Sequence, residues 1–429
     1  MHLEYSALAI TLAEIGSILL VSRVMTLLIR PLRQPAVIAE MLAGIVLGPS
    51  VLGWLWPELS ELLFQSASLG HLRLLSQVGL VLFMFLVGLE LDPTLFRGRA
   101  HAVVLISHTG IIVPFALGAV VAWWLWPRYS APAVPLSSFM AFFGVALSVT
   151  AFPVLARILT ERQLLGSRMG KIAMACAAVD DVTAWCLLAG VVALARARQL
   201  SDGLWTAALA CGFVLAMLYG VRPLLGRWMA RVDVHAELAP SLLPGFFMLI
   251  IGSSAVTELI GIHALFGAFC LGAIMPKRSG LPRLLAAKLE SVSVVLLLPL
   301  FFAYSGLRTQ IGLLAGPEQW LVAGAIILVA TLGKLGGGAL AARAVGLCWR
   351  EAGAIGILMN TRGLMELIVL NTGMDLGIIS PTIFTMLVLM ALVTTCATTP
   401  LLAWIYPARR LREESALEAA PLGAGLGAP

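Results

Sequence analysis

Charged side chains are scarce in this chain. Asp, Glu, Lys and Arg together make up 12% of its 429 residues, and hydrophobic residues make up 60%, whereas soluble domains carry about 25% charged residues. So few polar side chains cannot cover a water-facing surface, which excludes a soluble globular protein. So large an apolar content also excludes a disordered chain. The sequence therefore predicts an integral membrane protein surrounded by lipid.

Residue patterns that mark common enzyme and metal sites are missing as well. The six cysteines are scattered without metal-ligand or redox spacing, and neither HExxH nor GxSxG occurs. The glycines at 336–338 follow no strand and form no GxGxxG, so no dinucleotide site is predicted. We therefore expect no enzyme and no cofactor. We interpret the net charge of +6 as cationic loops of a membrane protein, not as a nucleic-acid surface.

Thirteen apolar runs are candidates for membrane-spanning helices, since one crossing needs about 20 apolar residues. They lie at about 6–29, 35–54, 72–91, 101–126, 134–156, 169–194, 204–221, 240–257, 259–276, 289–306, 319–341, 352–373 and 381–406. Residues 413–429 are rich in Glu, Ala, Gly and Pro and are predicted to form a disordered tail. The predicted fold is an all-α polytopic membrane protein with about 13 transmembrane helices.

The distribution of Lys and Arg predicts the orientation of these helices. With the N-terminus outside, the segments on the inner side carry 20 of the 28 cationic residues and those on the outer side carry five. This bias obeys the positive-inside rule. We therefore predict a multi-pass protein of the cell membrane with its N-terminus outside and its C-terminus in the cytoplasm.

The odd number of spans predicts an inverted repeat. If the helix at 204–222 is a linker, six helices precede it and six follow it, and the two sets have opposite topology. Inverted repeats are typical of secondary transporters, whose binding site lies at the membrane midplane between broken helices. The topology therefore favours a transporter.

The sixth span contains two adjacent carboxylates, Asp180 and Asp181, among small and apolar residues. An ionisable group at this depth is costly unless it is paired or hydrated, which makes it a functional candidate. Neighbours on a helix point about 100° apart, so we expect one carboxylate to face a cavity and the other a partner. Lys334 in the eleventh span is the natural counter-charge. The alternative is a buried ion pair that only holds helices together.

Spans five and twelve occupy the same place in the two halves, and both carry signals of a broken helix. In span five, Pro153 removes a backbone donor, and Ser148 and Thr150 could satisfy the freed groups. Paired interruptions of this kind point to a transport site, although a proline kink is the alternative for span five alone. The break in span twelve is marked by Asn360, Thr361 and Gly363.

Four more ionisable residues lie within predicted spans. Arg362 and Glu366 are four residues apart in span twelve and could pair on one helix face. Glu14 lies in span one. Glu40, in span two, is equally consistent with a structural role and with the lining of a cavity.

Four stretches in order along the chain resemble the monovalent cation:proton antiporter superfamily. The resemblance is to the branch that holds the plant cation/H+ exchangers, the bacterial potassium-efflux antiporters and Na+/H+ antiporters with an Asp-Asp pair. It implies about 13 helices, inverted six-helix repeats with two crossed broken helices, a homodimer, a dimer domain and a mobile core domain. The stretches are Gln34–Ser50, Ser148–Trp185, Pro299–Thr309 and Gly356–Leu376.

The resemblance also implies how the transmembrane domain, residues 1–412, is divided. The dimer or scaffold helices would occupy 1–97 and 240–306, and the core transport helices 98–196 and 319–408. The linker helix would occupy 204–222.

Position by position, Asp181 matches the family's cation- and proton-binding aspartate. Asp180 matches the preceding position, which in electrogenic bacterial members is an Asp paired with a lysine, and Lys334 fits that lysine. Thr150 matches the threonine of the first broken helix. Arg362 and Glu366 match polar residues of the second. The predicted cation- and proton-binding residues are Asp181, Asp180, Thr150 and Ser148, with Asp181 as ligand of the transported Na+ or K+.

The predicted function is secondary active antiport of a monovalent cation, Na+ or K+, against H+. One carboxylate site that is exposed to one side at a time and occupied by either ion is sufficient for this exchange. The alternatives are a monovalent cation channel, for which we find no continuous polar stripe, and an ion-coupled organic anion symporter, in which Arg362 could contact the anion. The adjacent aspartates favour a cation. The expected partners are these ions, the lipid bilayer and a second copy of the chain, and not nucleic acid.

Overall fold

In the part of the chain that it describes, the computed structural model consists of helices joined by turns and short extended segments, without a strand. The prediction of an all-α membrane fold is therefore confirmed. The tail predicted at 413–429 lies outside the described residues, which are 7–32, 34–90, 100–131, 134–162, 164, 167–196, 200–229, 242–276 and 281–406.

The described residues of the first half form nine α-helices and include the first of two interrupted spans. Prolines lie at the first or second position of α4 and α8, where a missing N–H costs nothing. The helices are α1 (Ala7–Ile29), α2 (Ala36–Leu47), α3 (Leu52–Leu55), α4 (Pro57–Leu63), α5 (Ser66–Glu90), α6 (Ala100–Tyr129), α7 (Leu136–Ser148), α8 (Phe152–Glu161) and α9 (Arg168–Arg196).

The remaining helices include three with an inserted π-turn, at Met217–Val221, Ser293–Leu297 and Leu332–Gly336. A π-turn widens the helix locally and often lies at a functional site; the third one contains Lys334. The helices are α10 (Leu200–Ala216), α11 (Arg222–Met229), α12 (Leu242–Ile260), α13 (Ala264–Ile274), α14 (Leu281–Val292), α15 (Leu298–Leu307), α16 (Pro317–Thr331), α17 (Gly337–Ala344), α18 (Trp349–Met359), α19 (Leu364–Asp375) and α20 (Pro381–Ile405).

Eleven helical stretches among the described residues are long and apolar enough to cross a membrane, and the bent pair α18–α19 forms a twelfth. The ninth predicted span, 259–276, is corrected: its helix α13 covers only the 11 residues Ala264–Ile274. Gly261 has a φ of 96°, which ends α12, and the side chain of His263 accepts a hydrogen bond from Leu265 N at the start of α13. The boundary therefore lies at 261–263 and not near Glu258.

Two interrupted spans cross each other inside the bundle. In the first, α7 and α8 are separated by the extended residues 149–151. In the second, α18 and α19 are separated at 360–363, with a bend of 40°. The Ala151 N–H donates to the Thr361 carbonyl at 3.0 Å, so the two breaks contact each other directly. This arrangement confirms the two crossed broken helices of the predicted fold.

Glycines allow close helix packing away from the breaks. A Cβ added to Gly44 on α2 would overlap the backbone of Ala303 on α15, and one added to Gly306 would overlap the backbone around Met41 and Gly44. Where lipid replaces water, association of helices depends on such backbone approach, because lipid and apolar side chains are equally hydrophobic.

We expect Gly44→Ala to destabilise the protein by about 1–3 kcal/mol, because the added methyl group has only backbone to displace. The measurement is the thermal unfolding midpoint in detergent. Gly16→Ala is the matched control, since a Cβ at Gly16 has no atom within 4 Å. Equal midpoints for the two variants would contradict the close α2–α15 contact.

Candidate ion-binding site

Helix α9 places both adjacent aspartates in the protein interior. Asp180 is 0% and Asp181 is 1% exposed. Because neighbouring side chains diverge around the helix axis, the two carboxylates have different surroundings, although the chain gives them almost the same depth.

Asp180 is surrounded by hydrogen-bond donors. Lys334 Nζ lies 2.8 Å from its Oδ2, and both side chains are 0% exposed. Ser107 Oγ on α6 donates to Oδ1 at 2.5 Å, and Thr150 Oγ1 lies 2.7 Å from Oδ2. A buried charge is tolerated when it is paired and hydrogen-bonded, and the surroundings of Asp180 supply both kinds of contact.

Asp181 has no such partners. Both of its carboxylate oxygens are buried without a hydrogen bond. The backbone N–H of Phe152, the first residue of α8, interacts with the carboxylate without the geometry of a hydrogen bond. A helix N-terminus carries partial positive charge. Asp181 is therefore an acid with free oxygens, placed at the start of a half-helix.

The chemistry of this place suits a small ligand that neutralises one carboxylate. A proton or a monovalent cation can do so, and backbone carbonyls at broken helices are typical additional ligands for alkali cations. Among the described residues, no three or more His, Cys, Asp or Glu side chains converge as metal ligands.

Thr150 connects the first break to the second. Its hydroxyl lies 2.7 Å from Asp180 Oδ2 and 2.9 Å from the Met359 carbonyl at the end of α18, and its single proton can be donated to only one of them. Ser148, in contrast, donates to Val145 O of its own helix at 3.0 Å. Ser148 contacts neither aspartate, so the structure separates it from the other predicted binding residues.

The polar groups freed at the break of α7 are satisfied by Arg362. Its Nη1 donates to Ala146 O at 3.0 Å and to Val149 O at 2.9 Å, and its Nη2 donates to Leu147 O at 2.7 Å. The expectation that Ser148 and Thr150 would do this is wrong for Thr150, which bonds to other elements. A cation at the C-terminal end of a half-helix also compensates its dipole.

Glu366 lies one turn beyond Arg362 on the second broken helix. Its Oε2 is 3.6 Å from Arg362 Nη1, and both side chains are 0% exposed in the pair. That distance is an ion pair but not a hydrogen bond, and both Glu366 oxygens lack a hydrogen-bond partner. The local pairing expected from the spacing is present, but Arg362 directs its short contacts to α7.

The remaining break residues shape the crossing. Pro153 is the second residue of α8 rather than the point of interruption, which lies just before it. A Cβ on Gly363 would lie 2.7 Å from Val154 Cγ2, so glycine allows α8 to approach the second break. Asn360 ends α18, and its Oδ1 is buried without a partner.

Three site features were not predicted from the sequence. Ser107 is one serine in a mostly apolar helix, which is a weak sequence signal for a functional residue. Its importance is evident only from its hydrogen bond to Asp180. Trp185, one turn after Asp181, stacks on Phe269 with ring centroids 6.2 Å apart, and its indole N–H is buried without a partner. The third feature is the Met359 carbonyl, which lies 2.9 Å from the Thr150 hydroxyl.

The two other predicted intramembrane acids lie elsewhere. Glu14 is buried between α1 and α5, where Ser68 Oγ donates to its Oε1 at 2.6 Å. Glu40 on α2 is half-buried. Neither has a contact with the aspartates of α9.

The chain is similar to named transporters over almost its whole length. It is 42% identical to the Na(+)/H(+) antiporter NhaS4 of Synechocystis over 95% of this chain and 99% of that protein. It is 42% identical to the cation/H(+) antiporter 17 of Arabidopsis thaliana, over 93% of this chain and 49% of the relative. Against the K(+)/H(+) antiporter 1 of Saccharomyces cerevisiae the identity is 34%, over 94% and 47%. The chain thus spans about half the length of the plant and yeast relatives.

A solved structure shares the fold. The sodium proton antiporter MjNhaP1 from Methanocaldococcus jannaschii, at pH 8, superposes with a TM-score of 0.68, covering 96% of this chain and 99% of that one, at 14% identity. The model of the family described as sodium/hydrogen exchanger, transmembrane, matches residues 17–405. That range includes both broken spans and the two aspartates. The chain therefore belongs to the sodium/hydrogen exchanger family of transmembrane proteins.

Proposed function

We propose that the protein is a secondary active antiporter that exchanges a monovalent cation, Na+ or K+, for H+ by alternating access. The observation that carries the proposal is the contrast between the adjacent carboxylates: Asp180 lies within hydrogen-bond distance of Lys334, Ser107 and Thr150, and neither oxygen of Asp181 has a hydrogen bond. The printed names of the relatives, which include Na+/H+, K+/H+ and cation/H+ antiporters, support the reaction.

In the proposed cycle a proton and a cation occupy Asp181 in turn. Removal from water makes the charged carboxylate costly, and either ligand neutralises it. The two ligands therefore compete, and binding of one releases the other. Thr150 and backbone carbonyls at the α7–α8 break complete the cation's ligands. The ion pair of Asp180 with Lys334 holds the site while no cation is bound, and it opens when one binds.

Two groups of helices would move relative to each other. The core, residues 98–196 and 319–408, contains both broken spans and the aspartates. The scaffold, 1–97 and 240–306, would form a homodimer, and 204–222 would link the two. Contacts of α2 with α15 and of α5 with α13 support a separate scaffold, and contacts of α6 with α7 and α9 support a core.

Orientation and environment complete the proposal. The N-terminus would lie outside and the C-terminus in the cytoplasm, which is supported by the bias of Lys and Arg in the sequence. Large apolar side chains are exposed on the outer helices, among them Leu12, Ile112 and Leu321, as expected for contact with lipid.

The alternatives fit the geometry less well. A channel needs an open polar path, and the two carboxylates are 0% and 1% exposed; an occluded site favours alternating access. An organic anion symporter would need a free cation for the carboxylate of its substrate. Both terminal nitrogens of Arg362 already donate to carbonyls at the end of α7, and Nη1 also lies near Glu366.

We expect Asp181→Asn to abolish exchange, because the amide cannot carry the charge that both ligands neutralise. The measurement is fluorescence dequenching of a pH dye in proteoliposomes after addition of Na+, K+ or Li+. Glu14→Gln is the matched control: it neutralises another buried intramembrane acid, far from the site, and should retain exchange. Exchange by Asp181→Asn at the wild-type rate would defeat the site assignment.

We expect Lys334→Gln to lower the thermal midpoint strongly, since removal of one partner from a buried ion pair costs about 3–5 kcal/mol. Asp180→Asn combined with Lys334→Gln should recover part of that loss. The measurement is a double-mutant cycle of unfolding midpoints, together with exchange at clamped membrane potential. Additive losses, with unchanged dependence on pH and potential, would remove the role assigned to Lys334.

A further inference from the structure

A three-charge cluster lies at the end of the bundle where α19 terminates, away from the aspartates of α9. Asp375 is the last residue of α19, and both of its carboxylate oxygens are occupied. Arg73 Nη2 on α5 lies 2.8 Å from Oδ2, and Arg308 Nη2, directly after α15, lies 2.8 Å from Oδ1. One acid therefore connects three separate helices.

Polar contacts extend the cluster inward along α19. Arg308 Nη1 donates to Asn371 Oδ1 at 2.9 Å, and Asn371 Nδ2 donates to Ser305 Oγ on α15 at 2.7 Å. The Arg308 guanidinium also lies over the Phe384 ring of α20, 5.7 Å from its centroid. Arg308 thus contacts both α19 and α20, and the junction is stronger than a single surface ion pair.

The contacts join the two groups of helices that the proposed function separates. Asp375, Asn371 and Phe384 belong to the core, and Arg73 and Ser305 belong to the scaffold. A displacement that moves α19 away from α5 and α15 lengthens these contacts. A second pair, Arg128 with Glu318 at 2.8 Å, joins α6 to α16 within the core and is not strained by such a displacement.

The cavities at the two ends of the bundle differ in volume. Beside the Asp375 cluster the cavity between core and scaffold measures about 30 Å³, close to the space of one water. At the opposite end, the cavity between core and scaffold measures about 530 Å³. Its walls include Arg30 and Gln34 from the scaffold side and Arg157 and Thr399 from the core side. The cavity beside the Asp375 cluster is therefore much smaller than the cavity at the opposite end.

We propose that Asp375, Arg73 and Arg308 form a latch that holds the outer end of the transport path closed and must break in each cycle. The inference rests on the proposed function, since it takes the core and the scaffold as the moving parts. Water reaches the cluster: the side chains of Arg73, Asp375 and Arg308 are 45%, 24% and 17% exposed. Partly exposed ion pairs are weak enough to exchange for water. The latch therefore favours the state with the outer end closed without trapping the protein in it.

The first test ties the latch shut. Arg73→Cys and Asp375→Cys are combined in a background in which the six cysteines are replaced by alanine, and a short, reducible bifunctional thiol reagent joins them. We expect cross-linking to stop cation-driven proton release from proteoliposomes, and reductant to restore it. Continued exchange by the cross-linked protein would overturn the latch.

The matched control is the combination of Arg128→Cys and Glu318→Cys, which forms an equally short pair within the core. The same cross-link there should leave exchange unchanged, because α6 and α16 move together. Loss of exchange in both cross-linked proteins would show that the reagent acts by general rigidification, and it would overturn the specific assignment.

The second test opens the latch and does not depend on transport. Thr372 lines the cavity of about 30 Å³ beside the Asp375 cluster. A Thr372→Cys variant therefore reports water access to this cavity by its rate of reaction with a membrane-impermeant maleimide. We expect Asp375→Asn to raise this rate about fivefold, the size expected for loss of a partly exposed ion cluster, and Glu318→Gln to leave it unchanged. An unchanged rate in Asp375→Asn would refute the latch. If the wild-type protein showed no exchange while Asp375→Asn raised the maleimide reaction rate, the latch would stand and the antiport function would be contradicted.

Discussion

The buried ion pair of Lys334 with Asp180 is the interaction on which the rest of the site depends. Two adjacent acids in a membrane helix would repel each other and would both lack solvation. Lys334, Ser107 and Thr150 lie within hydrogen-bond distance of Asp180 and compensate its burial. In the proposed function, the second carboxylate, Asp181, is the group whose charge a mobile ion neutralises. The pair thus gives two identical side chains different chemistry through their surroundings.

The crossing of the two broken helices holds the groups around the two aspartates in place. Each break frees backbone groups that lipid cannot satisfy, and the protein satisfies them with one another. Ala151 donates to Thr361, Thr150 lies against Met359, and Arg362 binds the carbonyls of α7. In the proposed cycle, these internal hydrogen bonds would let the core move as one unit. The latch at Asp375, in contrast, ties this unit to its neighbours through groups that water can replace.

Much of the fold could be predicted because each span is an apolar run with its own backbone hydrogen bonds. The breaks were also predictable, since Pro153 and the Asn360–Gly363 segment are local signals. The short helix α13 was not, because its limits depend on the φ of Gly261 and on the cap at His263, which an apolar run does not reveal. The bonds of Thr150 to Met359 O and of Arg362 to Ala146 O were not predicted for a related reason: hydrogen-bond partners far apart in sequence cannot be inferred from spacing.

The sequence by itself determined that the chain enters a membrane, which apolar runs contain its membrane-spanning helices, and which side chains are too costly to be buried without a function. Hydropathy and proline placement are local properties of the sequence, so they can be read without knowledge of the fold. Only the tertiary structure decided which aspartate is paired and which is free, that Arg362 serves α7, and that Asp375 joins α19 to α5 and α15. Those outcomes depend on distances between helices, which packing sets and linear order does not.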